Sequence, residues 1–162
     1  MQNRFVRLKI MGNLVYPLVI SLALLGCRDL KYTREFELNQ TSFEADTLAD
    51  IEKDTGIDIP DQAKGLKFHY IPSIDPITFA KIAIPQQEEK TITTQLNTLS
   101  GIPDFPKDFA NDRCPWWPSS SEDTIKNALI SRNTHKTTGY YIEAYLVREN
   151  GQLILYLKYF TI

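Results

Sequence analysis

Two cysteines, two histidines and seven glycines among 162 residues leave little material for several kinds of chemistry. So small a cysteine count excludes a scaffold stapled by several disulfides. Cys114, His69 and His135 stand far apart, with none of the close ligand spacing of a zinc site, so no metal is expected. The glycines build no phosphate-cradling loop, no EF-hand loop occurs, and Ser119-Ser120-Ser121 lacks the flanking glycines of a nucleophile elbow. Nothing in these patterns implies a cofactor. Eighteen Lys and Arg against 20 Asp and Glu give no basic excess and no basic patch with interleaved aromatics, which excludes nucleic acid as an expected partner. The longest apolar stretch, from Ile10 to Gly26, is broken by Asn13 and Pro17 and falls short of the ~20 residues of a bilayer-spanning helix. What is present is 43 % hydrophobic and 23 % charged residues, the balance of one globular domain and not of a disordered chain.

The N-terminal segment departs from that balance. Arg4, Arg7 and Lys9 precede LVYPLVISLALL, residues 14 to 25, and no acid occurs before Cys27. A basic start, a short apolar run and a small residue at its end make a secretory signal peptide over residues 1–26. Leu24-Leu25-Gly26-Cys27 resembles the lipobox of bacterial prolipoproteins. The resemblance implies cleavage before Cys27, diacylglycerol on its sulfur and usually a further acyl chain on its amine. The expected partner is thus a membrane, held through palmitate-type lipid on Cys27, since two or more chains anchor far more durably than one. In this family an aspartate directly after the cysteine favours retention at the inner membrane. Arg28 stands there, so the implied location is the bacterial cell envelope, on the periplasmic side of the outer membrane. Loss of three bases leaves 15 against 20 acids, a net charge of −5 for the mature chain. Beyond the signal, the chain resembles small uncharacterised bacterial lipoproteins and carries the motif of no named family.

Residues 27–43 are polar and mixed in charge and read as a lipidated tether, followed by a single domain over residues 44–162. Thr41 and Glu44 have capping-box spacing, Ala45, Leu48 and Ile51 share a helical face, and Gly56 suits a left-handed C-terminal position. LKFHYI (66–71) alternates Leu66, Phe68 and Tyr70 with Lys67, His69 and Ile71, a half-buried strand that turns His69 to solvent beside Lys67. After a turn at Pro72–Pro76, ITFAKIAI (77–84) is the second strand of a hairpin. A helix then starts near Pro85, with Ile92, Leu96 and Leu99 as its apolar stripe and Gly101 as its end. Residues 102–121 form a proline-rich loop, and a short helix is expected at about 122–131.

GYYIEAYLVR and LILYLKYF, joined through Asn150-Gly151, predict a hairpin with a type I′ turn. Its register pairs Arg148 with Leu153, Leu146 with Leu155, Ala144 with Leu157 and Glu143 with Lys158. Ile142, Ala144, Leu146, Leu155 and Leu157 then face the core, and Glu143 and Lys158 make an opposite-charge pair on the other face. The expected fold class is α+β: a four-stranded antiparallel sheet of two hairpins, with two or three helices packed on one face.

That other face also carries Tyr141, Tyr145, Val147, Tyr156 and Phe160. Such a patch is either a partner-binding surface or a second small core closed by the loop or the tether. Trp116 and Trp117, in Cys114-Pro115-Trp116-Trp117-Pro118, either pin the loop onto the sheet or offer an exposed anchor to a partner. No converging catalytic constellation emerges: Asp58, Asp61, Asp75, Glu88 and Glu89 occupy turns and helix starts, and Cys114 is expected as a buried apolar residue. The functional expectation is a lipid-anchored envelope protein that is not an enzyme and binds a protein partner. An immunity lipoprotein blocking an envelope-targeted toxin and a structural or assembly accessory of the envelope are the alternatives, with a Cys114 hydrolase last.

Overall fold

A computed structural model describes residues 33–98, 110–118 and 139–161, together with the backbone path of 128–136. The expected signal segment (residues 1–26), Cys27, Leu99, Gly101 and the first half of the expected helix at 122–131 lie outside the described residues. The chain divides into Met1–Thr33 and Arg34–Ile162, and only the second unit is described below.

Its elements are β1 (Phe36–Asn39), α1 (Ala45–Thr55), β2 (Lys64–Ile71), β3 (Ile77–Ile84), α2 (Glu89–Thr98), β4 (Ala128–Lys136), β5 (Tyr140–Glu149) and β6 (Gln152–Thr161). The strands form one sheet in the order β1-β2-β3-β6-β5-β4, antiparallel throughout. The fold is therefore α+β with two described helices, but the sheet has six strands where two hairpins alone would give four.

Both hairpins form as the turn chemistry requires. Asn150 and Gly151 hold φ values of 50° and 79°, the left-handed pair of a type I′ turn, and the ladder pairs Arg148 with Leu153 and Glu143 with Lys158. β3 then pairs with β6 along eight residues and fuses the hairpins into one sheet. These two central strands are buried almost without interruption, as strands covered on both faces must be.

The additional strands lie at the two edges. β1 falls inside the stretch read as tether, so the domain begins earlier than residue 44. Its alternation of Glu35, Phe36, Glu37 and Leu38 is a short strand pattern, and pairing to β2 satisfies a backbone edge otherwise left open. β4 takes up residues 128–131, expected as the end of a short helix. Pairing with β5 supplies a ladder that a weak local helix preference cannot match.

One face of the sheet carries Phe68, Ala80, Ile82, Ile142, Ala144, Leu146, Leu155 and Leu157, all buried. α1 and α2 cover it, through buried Ile51, Ile92 and Leu96 and through polar ties from Asp54 to Tyr140 and from Glu89 to Arg148. Gly56 ends α1 at φ 68° as expected, its N–H bonded to the Glu52 carbonyl. The start of α1 differs from expectation. Thr41 does not cap it; its N–H and hydroxyl both donate to Asn39 Oδ1 in a turn after β1, and Glu44 takes the cap position without a side-chain bond.

Phe43 lies directly over Gly65, where an added Cβ would come within 2.0 Å of the ring, and it meets Phe68 edge-on at 5.8 Å. Gly65→Ala should therefore cost about 1–3 kcal/mol through displacement of that ring. A denaturant melt checks this, with Gly139→Ala, whose Cβ meets nothing within 4 Å, as the control expected to leave the midpoint nearly unchanged.

Candidate functional site

The opposite face is a second core. Ile71, Ile77, Phe79, Ala83, Tyr145, Val147, Ile154, Tyr156 and Phe160 cluster there beneath Cys114 and Trp117 of the loop at 110–118. Trp117 is the keystone: its indole packs edge-on against Phe79 at 5.4 Å, Tyr145 at 5.5 Å and Tyr156 at 6.1 Å. Of the two readings open for this face, burial beneath the loop is the one observed. Trp117, Tyr145, Tyr156 and Phe160 are interior, while Trp116 and Tyr141 are half-buried at the rim. Tyr141 stacks on Phe160 at 5.3 Å, and Trp116 meets Phe79 edge-on at 6.4 Å. The candidate contact residues are thus divided by the packing into four that shape the core and two that remain accessible.

Burial of this face encloses the charge pair expected on it. Lys158 Nζ and Glu143 Oε2 lie 2.5 Å apart with both side chains 0 % exposed. Two desolvated charges are tolerable only when paired and hydrogen-bonded, and the surroundings contribute a hydrogen bond to each partner. Tyr145 donates to Glu143 Oε1 at 2.8 Å, Lys158 donates to Asn111 Oδ1 at 2.8 Å, and the ammonium lies 5.5 Å from the centre of the Trp117 ring. Asn111 arrives through a 3-10 turn, Asn111–Arg113, entered at Ala110 with φ 57°, an uncommon value for a residue with a Cβ.

A second polar group fastens the loop to the sheet edge. His69 Nε2 bonds Glu35 Oε1 at 2.8 Å, His69 Nδ1 faces Glu37 Oε1 at 3.6 Å, and Arg113 donates to Glu35 Oε2 at 2.8 Å. His69, expected at the surface beside Lys67, is buried because β1 brings these carboxylates over it. The His69 hydrogen bond, then the Arg113 charge, hold the Glu35 carboxyl below the ordinary 4.5 despite an opposing effect of burial. Elsewhere on the same face, Tyr156 donates to Glu149, which also pairs with Lys81 at 2.6 Å. Burial, followed by the Glu149 hydrogen bond, raises the Tyr156 phenol far above its usual range.

Cys114 is 1 % exposed, and burial pushes its thiol up to about 12. A thiol so held is a protonated core group and not an activated nucleophile, and both ring nitrogens of His69 already face carboxylates. Among the described residues no group of three or more His, Cys, Asp and Glu is placed to hold a metal. A shallow groove of about 310 Å³ lies on the helix side of the domain, lined by Asp58, Asp61, Glu88, Gln62, Thr91 and Gln95. Its floor is tied by Gln95, which accepts from the Asp58 N–H at 2.9 Å and donates to the Asp58 carbonyl at 3.1 Å.

No family model, curated protein or solved structure matches the chain.

A carboxyl titration followed by NMR should place the Glu35 midpoint below 4.5, with His69→Ala moving it up further than Arg113→Ala. Because folding lowers this value, the contribution of Glu35 to stability is complete above the ordinary carboxylate range and disappears as pH falls through the folded midpoint. For Cys114, alkylation of the native protein at about pH 8 should run roughly a thousandfold slower than in denaturant. A native rate within tenfold of the denatured one would return Cys114 to the list of nucleophiles.

Proposed function

We propose that the chain is a lipid-anchored protein of the bacterial cell envelope, held by acyl chains on Cys27 and acting by non-catalytic contact with a protein partner. Its place is the periplasmic side of the outer membrane. The observation that carries the contact reading is the division of the tryptophan pair. Trp117 is packed among Phe79, Tyr145 and Tyr156, so the adjacent Trp116 is placed half-buried at the rim. A large, pre-positioned aromatic of this kind supplies binding energy at little cost in ordering, which is the property of interface hot spots. Tyr141, also at the rim, extends the accessible aromatic surface.

The immunity reading is the second, favoured by a different surface. Asp58, Asp61 and Glu88 line the groove beside α2 with no Lys or Arg among its lining residues, and the mature chain carries a charge of −5. A basic toxin domain is the complementary partner for such a groove, and electrostatic steering would speed its capture.

Both parts of the proposal are testable in the host membrane. Palmitate labelling should disappear in Cys27→Ser, and a label that persists there would overturn the anchor. A photo-crosslinking side chain at position 116 of the lipidated protein should give one discrete adduct. Trp116→Ala should weaken recovery of the same partner by roughly thirtyfold, the loss typical of a buried hot-spot tryptophan. Recovery unchanged in Trp116→Ala, but lost in a variant neutralising Asp58, Asp61 and Glu88, would move the contact to the groove.

A further inference from the structure

We propose that Lys158 and Asn111 become joined by an amide bond between their side chains, formed by the protein itself with Glu143 as the proton carrier. Three groups of the required chemistry meet inside the second core: an amine, a carboxamide and a carboxyl. Lys158 Nζ lies 2.8 Å from Asn111 Oδ1. With a carbonyl bond of about 1.23 Å, the amine nitrogen is no more than about 4.0 Å from the amide carbon, close to the separation of a near-attack arrangement. Glu143 Oε2 lies 2.5 Å from the same nitrogen, and the Tyr145 hydroxyl holds the other carboxyl oxygen at 2.8 Å.

The surroundings favour reaction over a lasting ion pair. Lys158 and Glu143 are wholly removed from water beneath Trp117. Transfer of one proton from Lys158 to Glu143 across their 2.5 Å ion pair cancels both charges and frees the amine lone pair. The lone pair attacks Asn111 Cγ. The Nζ–Cγ bond forms, the Cγ–Nδ2 bond breaks, and a second proton passes from Nζ to the departing nitrogen through Glu143. One proton stays on the new amide nitrogen, three leave on ammonia, and one remains on Glu143, so atoms and charge balance without an oxidant or any co-reactant. At the amine and the carboxyl, both 0 % exposed, bulk water does not compete for the transferred proton.

Asn111 is also delivered with little freedom. The turn that carries it is entered through the left-handed Ala110 and closed by the N–H of Arg113 to the Ala110 carbonyl and the N–H of Cys114 to the Asn111 carbonyl, each at 3.1 Å. Arg113 ties the far side of the turn to Glu35, and Trp117 locks the segment that follows. Two anchors therefore flank the reacting amide, the preorganisation an intramolecular acyl transfer needs. The product would be a covalent strap from the loop to β6, closing a span of 47 residues.

The test is a tryptic digest of the full chain, purified from its membrane and denatured only after purification. A joined product contains residues 108–113 linked to residues 149–162, lighter than the two peptides together by one ammonia. It runs through Lys158 uncut, because an acylated lysine is no longer a trypsin site. Asn111→Ala, altered at a half-buried position, should give only linear peptides, and Glu143→Gln should do the same. Linear 108–113 together with a peptide ending at Lys158, recovered from folded wild-type protein, would overturn the bond. Joined peptides persisting in folded Glu143→Gln would overturn the role of the carboxyl, and if that variant does not fold, the wild-type and Asn111→Ala digests decide the bond.

Discussion

The domain depends on how it treats one buried pair of charges. Lys158 and Glu143 stand opposite each other on β6 and β5, and no sheet of this width can keep them dry without a cover that also satisfies them. The loop at 110–118 supplies both: Trp117 excludes water, and Asn111 accepts from the ammonium. The aromatic side chains around the pair gain burial from the same cover. Polar satisfaction and apolar packing therefore select one position of the loop, and a shift of either group would expose the other. This is why a segment rich in proline, with little regular structure, has a defined place on the sheet.

Much of the architecture was legible from local chemistry. Asn150-Gly151 specified a turn with two left-handed residues, and that turn alone decided every cross-strand pair of β5 and β6. Gly56 and the apolar periods of α1, β2 and β3 were equally readable, because each rests on neighbours in sequence. The misreadings share a different cause. Alternation along a strand shows which side chains share a face, but it does not show what covers that face. Polarity alone points His69 to solvent and leaves the face of Glu143 and Lys158 open, whereas β1 and the loop, distant in sequence, bury them. The two edge strands were missed for a related reason. β1 has only four residues of alternation in a charged context, and β4 is a strand chiefly because β5 presents an open edge. Thr41 had correct capping spacing, but Asn39 competed for its hydrogen bonds.

The candidate site was legible in composition and not in arrangement. The tyrosines, Phe160 and the tryptophan pair stood out as too aromatic for an idle surface, and they do form one cluster. Their division into interior and rim follows from which indole enters the core, and adjacent residues in the sequence carry no sign of that choice. Chemically, the result moves interest away from Cys114, whose thiol is sealed and protonated, towards a lysine, an asparagine and a glutamate that no motif joined. On the proposed function, contact with partners would fall to Trp116 and Tyr141 at the rim or to the acidic groove beside α2.

Under the proposed anchoring at Cys27, the early start of the sheet has a mechanical meaning. With β1 beginning at Phe36, the leash from Cys27 to the first ladder would be not the seventeen residues 27–43 but the nine residues from Cys27 to Glu35. Stretched to its limit such a leash spans only about 30 Å. The domain would then patrol a thin shell above its bilayer, and any pull on the anchor would load the shortest strand of the sheet first. A partner meeting it would have to come to the membrane surface, and an opposing wall farther away would be out of reach.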